Sequence, residues 1–235
     1  MQKIKNKIKS QNQIKKLLYN NIPIKVVDLP RIKVDINLVL SKIEQMIPYH
    51  LLSGYVDEIN FGNFDFFKKN NFNAFYDKEN KIIFIRSEEQ DNNIDLFDDL
   101  VHEISHAIED KYNKQIFLDG KINAEFIHKR LKLKYSLMLR YGNQIPSHKF
   151  MLTKYNKEID DLFHKIVGYE KMKMYTKNIF PSAYAPTSVS EYWAEGFEKY
   201  CLGEKEDLFR MCPQLFNKID LLFKGENNED YKKYT

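Results

Sequence analysis

Cysteine is scarce in this sequence, with only Cys201 and Cys212 among 235 residues. Two cysteines cannot build the disulfide framework that stabilises small secreted proteins. The first residues also lack the apolar core and the small-residue cleavage site of a secretory signal. The sequence therefore predicts free thiols and a cytoplasmic location, with release by another route left open.

Long apolar runs are absent as well. No stretch of 18 apolar residues occurs, so no membrane-spanning helix is predicted. The composition is 43% hydrophobic, 14% aromatic and 30% charged, with a mean hydropathy of −0.56. A chain of this length and composition can bury a sizeable core beneath a charged surface.

Acidic residues are missing from the first 20 positions, which carry six lysines. We interpret residues 1–20 as a basic leading segment. Its apolar residues, Leu17 and Leu18 among them, could line a basic amphipathic helix that makes weak contact with an acidic surface. The alternative is a frayed leading helix without a partner. Further along, acids alternate with lysines and the net charge is only +4. We therefore expect no nucleic-acid partner.

Residues 21–235 are predicted to form a single domain of the α+β class. Proline-bounded or alternating segments predict strands at 21–30 and 56–64, and a hairpin at 72–86 that turns at 77–80. Residues 35–47 have helical spacing behind a possible N-cap, Asp35. The later helices are expected at about 94–111, 121–141, 154–170, 189–202 and 213–224. A small mixed or antiparallel sheet is thus followed by a mainly helical half.

The segment LFDDLVHEISHAIED, residues 96–110, holds two of the six histidines. His102 and His106 are four residues apart, so they lie about 40° apart on one face of a helix. Two neutral imidazoles at that spacing can bind one zinc ion. Glu103 is close enough to reach a water molecule at such an ion, which is where a general base belongs.

The remaining residues of this helix support a metal site. Asp99 and Asp110 flank the polar half and are candidates for orienting the imidazoles. The competing interpretation is a solvated helix face on which two histidines and a glutamate coincide. The opposite side is predicted to be apolar and buried: Leu96, Phe97, Leu100, Ile104, Ala107 and Ile108.

A catalytic zinc ion needs a third protein ligand. As a helix, SVSEYWAEGFEKYC at 188–201 puts an aromatic-rich arc on one side and Glu191, Glu195 and Glu198 on the other. Periodicity does not separate the three glutamates, and we expect at least one to be exposed. The weaker candidates on other helices are Glu125, Glu170, His128 and His164.

These motifs together resemble those of the anthrax-lethal-factor-like zinc metallopeptidases, which include the lethal factor catalytic domain and the clostridial Pro-Pro endopeptidases. In that family a tyrosine lies seven residues before a glutamate that opens an aromatic-rich E-[FY]-[FW]-A-E helix. Here Tyr184 precedes Glu191 in SAYAPTSVSEYWAEGF, residues 182–197, after HEISH at 102–106. The resemblance covers about 30 residues of motif.

The resemblance implies a zincin-like, gluzincin-like fold and a Zn²⁺ cofactor held by His102, His106 and Glu191. It also implies Glu103 as the base and Tyr184 as the donor to the oxyanion, with a peptide or protein as substrate. NKIIFIR, residues 80–86, would be an edge strand able to hold an extended peptide. Glu191 follows His106 by 85 positions, and this distance suggests a helical insertion at about 121–175.

Three other functions stay open. The chain could be a peptide-binding module that keeps the fold without turnover, or a zinc amidase acting on cell-wall peptides. A structural zinc protein is a third possibility, but it would want a fourth cysteine or histidine ligand, and neither cysteine has such a neighbour at short spacing. Tyr184 could also be an ordinary loop aromatic.

Overall fold

The computed structural model describes residues 17–31, 33–70, 72–142 and 146–225. It divides into two compact units, Met1–Ile108 and Glu109–Thr235, and the division falls inside one helix. Residues 1–16 of the predicted basic segment lie outside the described residues. The predicted helix is wrong for the next two positions, because Leu17–Leu18 is a short strand with Leu18 fully buried.

The first unit contains a five-stranded sheet in the order β1-β2-β3-β5-β4. Its inner strands β2, β3 and β5 pair in parallel, whereas β1 and β4 pair antiparallel at the two outer positions. Parallel neighbours need a crossover connection, and helices supply it between β2 and β3. The strands are β1 Leu17–Leu18, β2 Ile22–Val26, β3 Glu58–Gly62, β4 Ala74–Asp77 and β5 Ile82–Arg86.

The sheet confirms the predicted strands and the hairpin but corrects the predicted edge. Residues of NKIIFIR form β5, which pairs with β3 on one side and β4 on the other. Both sides of β5 are therefore occupied by backbone hydrogen bonds, and β4 is the strand at that edge. Ile83 and Ile85 of β5 are fully buried, as expected of an inner strand.

Four helices belong wholly or partly to the first unit: α1 Ile36–Met46, α2 Tyr49–Leu52, α3 Asp65–Asn70 and α4 Asn93–Phe117. The predicted cap is confirmed, because the Asp35 side chain accepts a hydrogen bond from the Leu38 N–H. The Asp35 N–H in turn donates to Asn93 Oδ1 at 2.6 Å. The ammonium of Lys42 lies 3.8 Å from the centre of the Phe97 ring. These contacts fix the first turns of α4 against α1.

Helix α4 is longer than the sequence predicts. The pattern predicts an end near residue 111, and Tyr112 indeed has non-helical angles, φ −107° and ψ 20°. The chain then resumes a helical course to Phe117. The predicted end is thus a kink.

The second unit is helical in the part of the chain that the structure describes. Beyond the end of α4 its α-helices are α5 Lys121–Tyr141, α6 Lys157–Asp161, α7 Tyr169–Thr176, α8 Val189–Cys201, α9 Lys205–Met211 and α10 Pro213–Lys224. Short 3₁₀ turns cover Ser147–Met151 and Ala185–Thr187. Large aromatic side chains fill its core: Phe126, Phe150, Phe163, Tyr192, Trp193 and Phe197.

Two features of this unit differ from the sequence prediction. The helix predicted at 154–170 is α6 followed by a π-helix, Leu162–Gly168, and by α7. Gly168 has a φ of 87°, which favours glycine and separates the π-helix from α7. Helix α9 was not predicted, because it spans only seven residues.

Two predictions concern features that the sequence lacks, namely disulfide bonds and membrane-spanning helices. Cys201 and Cys212 are both buried free thiols. Within the described residues, no helix combines the length and the apolar character needed to cross a membrane.

Candidate metal and catalytic site

Helix α4 brings the two histidines of HEISH side by side. The ring centres of His102 and His106 are 5.0 Å apart, with an angle of 77° between the ring planes. Both side chains are half-buried. One turn of helix separates them, so both imidazoles leave the same face. The predicted pair therefore exists in a form that can converge on one ion.

The opposite face of α4 is the buried one, as predicted. All six apolar side chains expected there are no more than 2% exposed. Ser105 is also buried, and its hydroxyl donates to the carbonyl of His102 at 2.6 Å. Burial of one face fixes the rotation of the helix about its axis. The face of α4 that carries His102 and His106 therefore has a fixed orientation.

Glu103 lies between the histidines in sequence and is only 8% exposed. Carboxylates are seldom buried so deeply unless they have a partner or a function. A general base benefits from such shelter, because bulk water then competes less for its lone pairs. The exposed helix face of the competing interpretation does not fit this burial.

The two flanking aspartates are both half-buried. Asp99 Oδ2 accepts a hydrogen bond from Gln90 Nε2 at 2.7 Å. Asp99 precedes His102 by three residues and so lies on the adjacent turn. Gln90 thus restrains an acid beside the first histidine. The orienting roles of Asp99 and Asp110 stay predictions.

In the second unit, a serine shapes the loop that carries Tyr184. Ser182 Oγ accepts hydrogen bonds from the N–H groups of Tyr184 at 3.0 Å and Ala185 at 3.1 Å. The 3₁₀ turn Ala185–Thr187 follows directly, and the Thr187 N–H donates to the Tyr184 carbonyl. The backbone of Tyr184 is therefore held on both sides.

The spacing of seven residues from Tyr184 to Glu191 corresponds to this turn plus the first turn of α8. Ser188 caps α8, accepting a hydrogen bond from the Glu191 N–H at 3.1 Å. Burial raises the pKa of Tyr184 well above its usual value, and the negative charge of Glu191 raises it further. The phenol is therefore a hydrogen-bond donor throughout the neutral range.

All three glutamates of α8 are half-buried. The expectation that at least one is exposed is therefore wrong. The aromatic arc on the other side of the helix is buried as predicted, with Trp193 and Phe197 fully enclosed. Burial by itself does not distinguish Glu191, Glu195 and Glu198.

Glu109, which the sequence pattern does not single out, accepts a hydrogen bond from the hydroxyl of Ser190. Glu109 follows His106 by three residues on α4, and Ser190 immediately precedes Glu191 on α8. Position 109 could have been singled out, because it falls on the turn next to His106. No sequence signal identifies Ser190 as its partner.

Two weaker ligand candidates have other roles. The carboxylate of Glu125 accepts hydrogen bonds from the Tyr192 hydroxyl and from the N–H groups at positions 214 and 215, so it caps α10. Glu170 is largely exposed and pairs with Lys173 at 2.9 Å. His128 is exposed on α5. No bound metal is needed to explain the positions of these three residues.

Comparisons of this chain with protein-family models, with curated proteins and with solved structures found no match.

Proposed function

We propose that this chain is a zinc-dependent endopeptidase of the anthrax-lethal-factor type with a zincin-like fold. The observation that carries the proposal is the half-buried histidine pair on α4 with the buried Glu103 between its members. His102, His106 and Glu191 would hold the ion.

The donor set fits zinc in number and kind. Imidazole nitrogens and a carboxylate oxygen are ordinary zinc ligands, and three protein ligands leave a position open for catalysis. Glu191 is taken as the third ligand because it holds the position of the family's glutamate, seven residues after Tyr184.

Zinc, when bound, lowers the pKa of a water molecule and polarises the scissile carbonyl. Glu103 accepts the proton of the attacking water and passes it to the leaving amine. The Tyr184 hydroxyl donates a hydrogen bond to the oxygen that gains negative charge.

The test compares wild type with Glu103→Gln, and Glu170→Gln serves as a surface control. Zinc per chain is measured by mass spectrometry, and cleavage is measured on a peptide library. We expect about one zinc in all three proteins and a rate about 10² to 10⁴-fold lower in Glu103→Gln alone.

Each contrary outcome has a distinct meaning. A wild-type protein without zinc overturns the proposal, whereas zinc without cleavage of any peptide indicates a binding module. Cleavage of cell-wall peptides but not of the library indicates the amidase. Full activity in Glu103→Gln contradicts the assigned base and leaves the metal site standing.

A further inference from the structure

His164 lies in the π-helix Leu162–Gly168, inside the segment predicted as an insertion. π-Helical turns are rare, and they occur frequently at functional sites because the wider turn redirects side chains. The sequence predicted an ordinary helix here, with His164 only as a weak ligand candidate. Its surroundings in the second unit give it a different role.

The imidazole of His164 packs against the ring of Tyr184. The ring centres are 5.4 Å apart, and the planes are inclined by 38°. Tyr169 lies near the same imidazole, with a centre-to-centre distance of 6.2 Å and an angle of 28°. Contacts at these distances are ordinary aromatic packing. His164 is thus a direct neighbour of the proposed oxyanion donor.

An aspartate one turn earlier lies beside this histidine. His164 Nε2 lies 3.3 Å from Asp160 Oδ1, and the two side chains are only 23% and 25% exposed. Asp160 Oδ2 accepts a hydrogen bond from the Tyr155 hydroxyl at 3.1 Å. Tyr155 therefore holds the Asp160 carboxylate, and the carboxylate lies beside the imidazole.

We propose that His164 is a positioning residue for Tyr184 and that it acts through the packing of the two rings. This inference rests on the proposed function, since it assigns a role in the same reaction. An oxyanion donor is effective only if its hydroxyl is already in place when charge develops. The ring packing supplies this restraint. The segment at 121–175 then takes part in catalysis.

The kinetic test uses His164→Ala, with His128→Ala as an exposed histidine control. We expect kcat to fall about tenfold with KM unchanged, because the restraint matters in the transition state. His164→Phe keeps the ring packing and should recover most of kcat, and it also serves if the alanine variant folds poorly. Asp161→Asn, close to the contact but outside it, should leave kcat unchanged.

A double variant separates positioning from general damage. If His164 acts through Tyr184, then His164→Ala should cost nothing further once Tyr184→Phe has removed the hydroxyl. Additive losses would overturn the proposal. Equal kcat in wild type and His164→Ala would overturn it as well.

NMR of ¹³C-labelled tyrosine rings tests the contact without zinc or substrate. The Tyr184 signal is assigned by its disappearance in Tyr184→Phe. We expect it to shift in His164→Ala, which removes the neighbouring ring, and to stay in place in His128→Ala. An unshifted signal would overturn the positioning role even if the enzyme is active. A shifted signal in a protein that neither binds zinc nor cleaves peptides would instead overturn the proposed function.

Discussion

The two units contrast in how their chemistry is encoded. In the first unit, His102, Glu103 and His106 lie within five residues of one helix, and their geometry follows from helical spacing. In the second unit, Tyr184 is placed by Ser182 and packs against His164, which is 20 residues away. One arrangement is local in sequence, and the other depends on contacts between distant segments.

This contrast indicates where substitutions act differently. In the first unit, the helical spacing of a few neighbouring residues is enough to identify the important positions. In the second, single residues such as Glu125 and Gly196 hold helices together through contacts that no periodicity shows. Four variants, taken from the largest expected effect to the smallest, test this difference.

The largest effect is expected from Tyr184→Phe. Loss of the hydroxyl removes the proposed oxyanion donor, and loss of one such donor costs about 10² to 10³-fold in kcat. Zinc content should not change. Steady-state kinetics and zinc analysis check this, with Tyr135→Phe, 67% exposed, as the control. If the Tyr184→Phe protein kept full kcat, Tyr184 would contribute packing only and would not be the oxyanion donor.

Glu125→Ala should destabilise the second unit by about 2 to 4 kcal/mol. The substitution uncaps α10 and leaves the hydroxyl of the buried Tyr192 without its carboxylate. Chemical unfolding measures the effect, and Glu170→Ala on the surface should change stability by less than about 0.5 kcal/mol. If the folded Glu125→Ala protein bound no zinc, Glu125 would again be a candidate ligand.

Gly196→Ala should destabilise by about 1 kcal/mol. An added Cβ would lie 2.3 Å from Leu215 Cδ2, and Leu215 is fully buried. Overpacking costs about 1 to 3 kcal/mol, and the higher helix propensity of alanine offsets about 1 kcal/mol of this. The cost should shrink in a Leu215→Ala background. Thermal unfolding of wild type, Gly196→Ala, Leu215→Ala and the double variant measures this coupling. A Gly196→Ala protein more stable than wild type would contradict the close approach of Leu215 to Gly196.

The smallest effect is expected in the first unit, from Asp77→Ala in the hairpin turn. Asp77 Oδ1 accepts hydrogen bonds from the N–H groups of Glu79 and Asn80, both at 3.1 Å. Their loss should cost about 0.5 to 1 kcal/mol. Unfolding measurements should find Glu79→Ala near wild type, because its N–H remains.

The Asp77 effect also has a predicted pH dependence. Hydrogen bonds from Asn80 lower the pKa of Asp77 below its ordinary 3.8. A lowered pKa means that the stabilisation is full above pH 3.8 and fades as the pH falls below it. A difference from Asp77→Ala that grows towards acid pH would contradict this sign.

The sequence predicted most of the first unit because its signals are local. Alternation predicts β3, and Asp35 predicts the start of α1. The position of β5 inside the sheet was not predicted, because strand order depends on pairing between distant segments. Alternation in the sequence indicates which residues face each side of a strand, but it does not indicate which strands lie next to it.

The second unit was predicted less completely for the same reason. Its long helices α5, α8 and α10 were expected close to their observed bounds, and α8 and α10 each have a clear apolar face. The π-helix was not expected, since it replaces α-helical hydrogen bonds without changing the hydrophobic pattern strongly. The partners that Glu109 and Glu125 bind, and the Tyr184 ring against which His164 packs, lie 20 to 90 residues away in the chain.

The most direct test of the account is the zinc affinity of wild type, Glu191→Gln and Glu198→Gln, measured by competition with a chromophoric chelator. Changes to residues behind a ligand typically cost 10 to 100-fold in metal affinity, so loss of a true ligand should cost about 100-fold or more. We predict such a loss for Glu191→Gln and nearly unchanged affinity for Glu198→Gln. Wild-type affinity in Glu191→Gln would contradict the proposed zinc site.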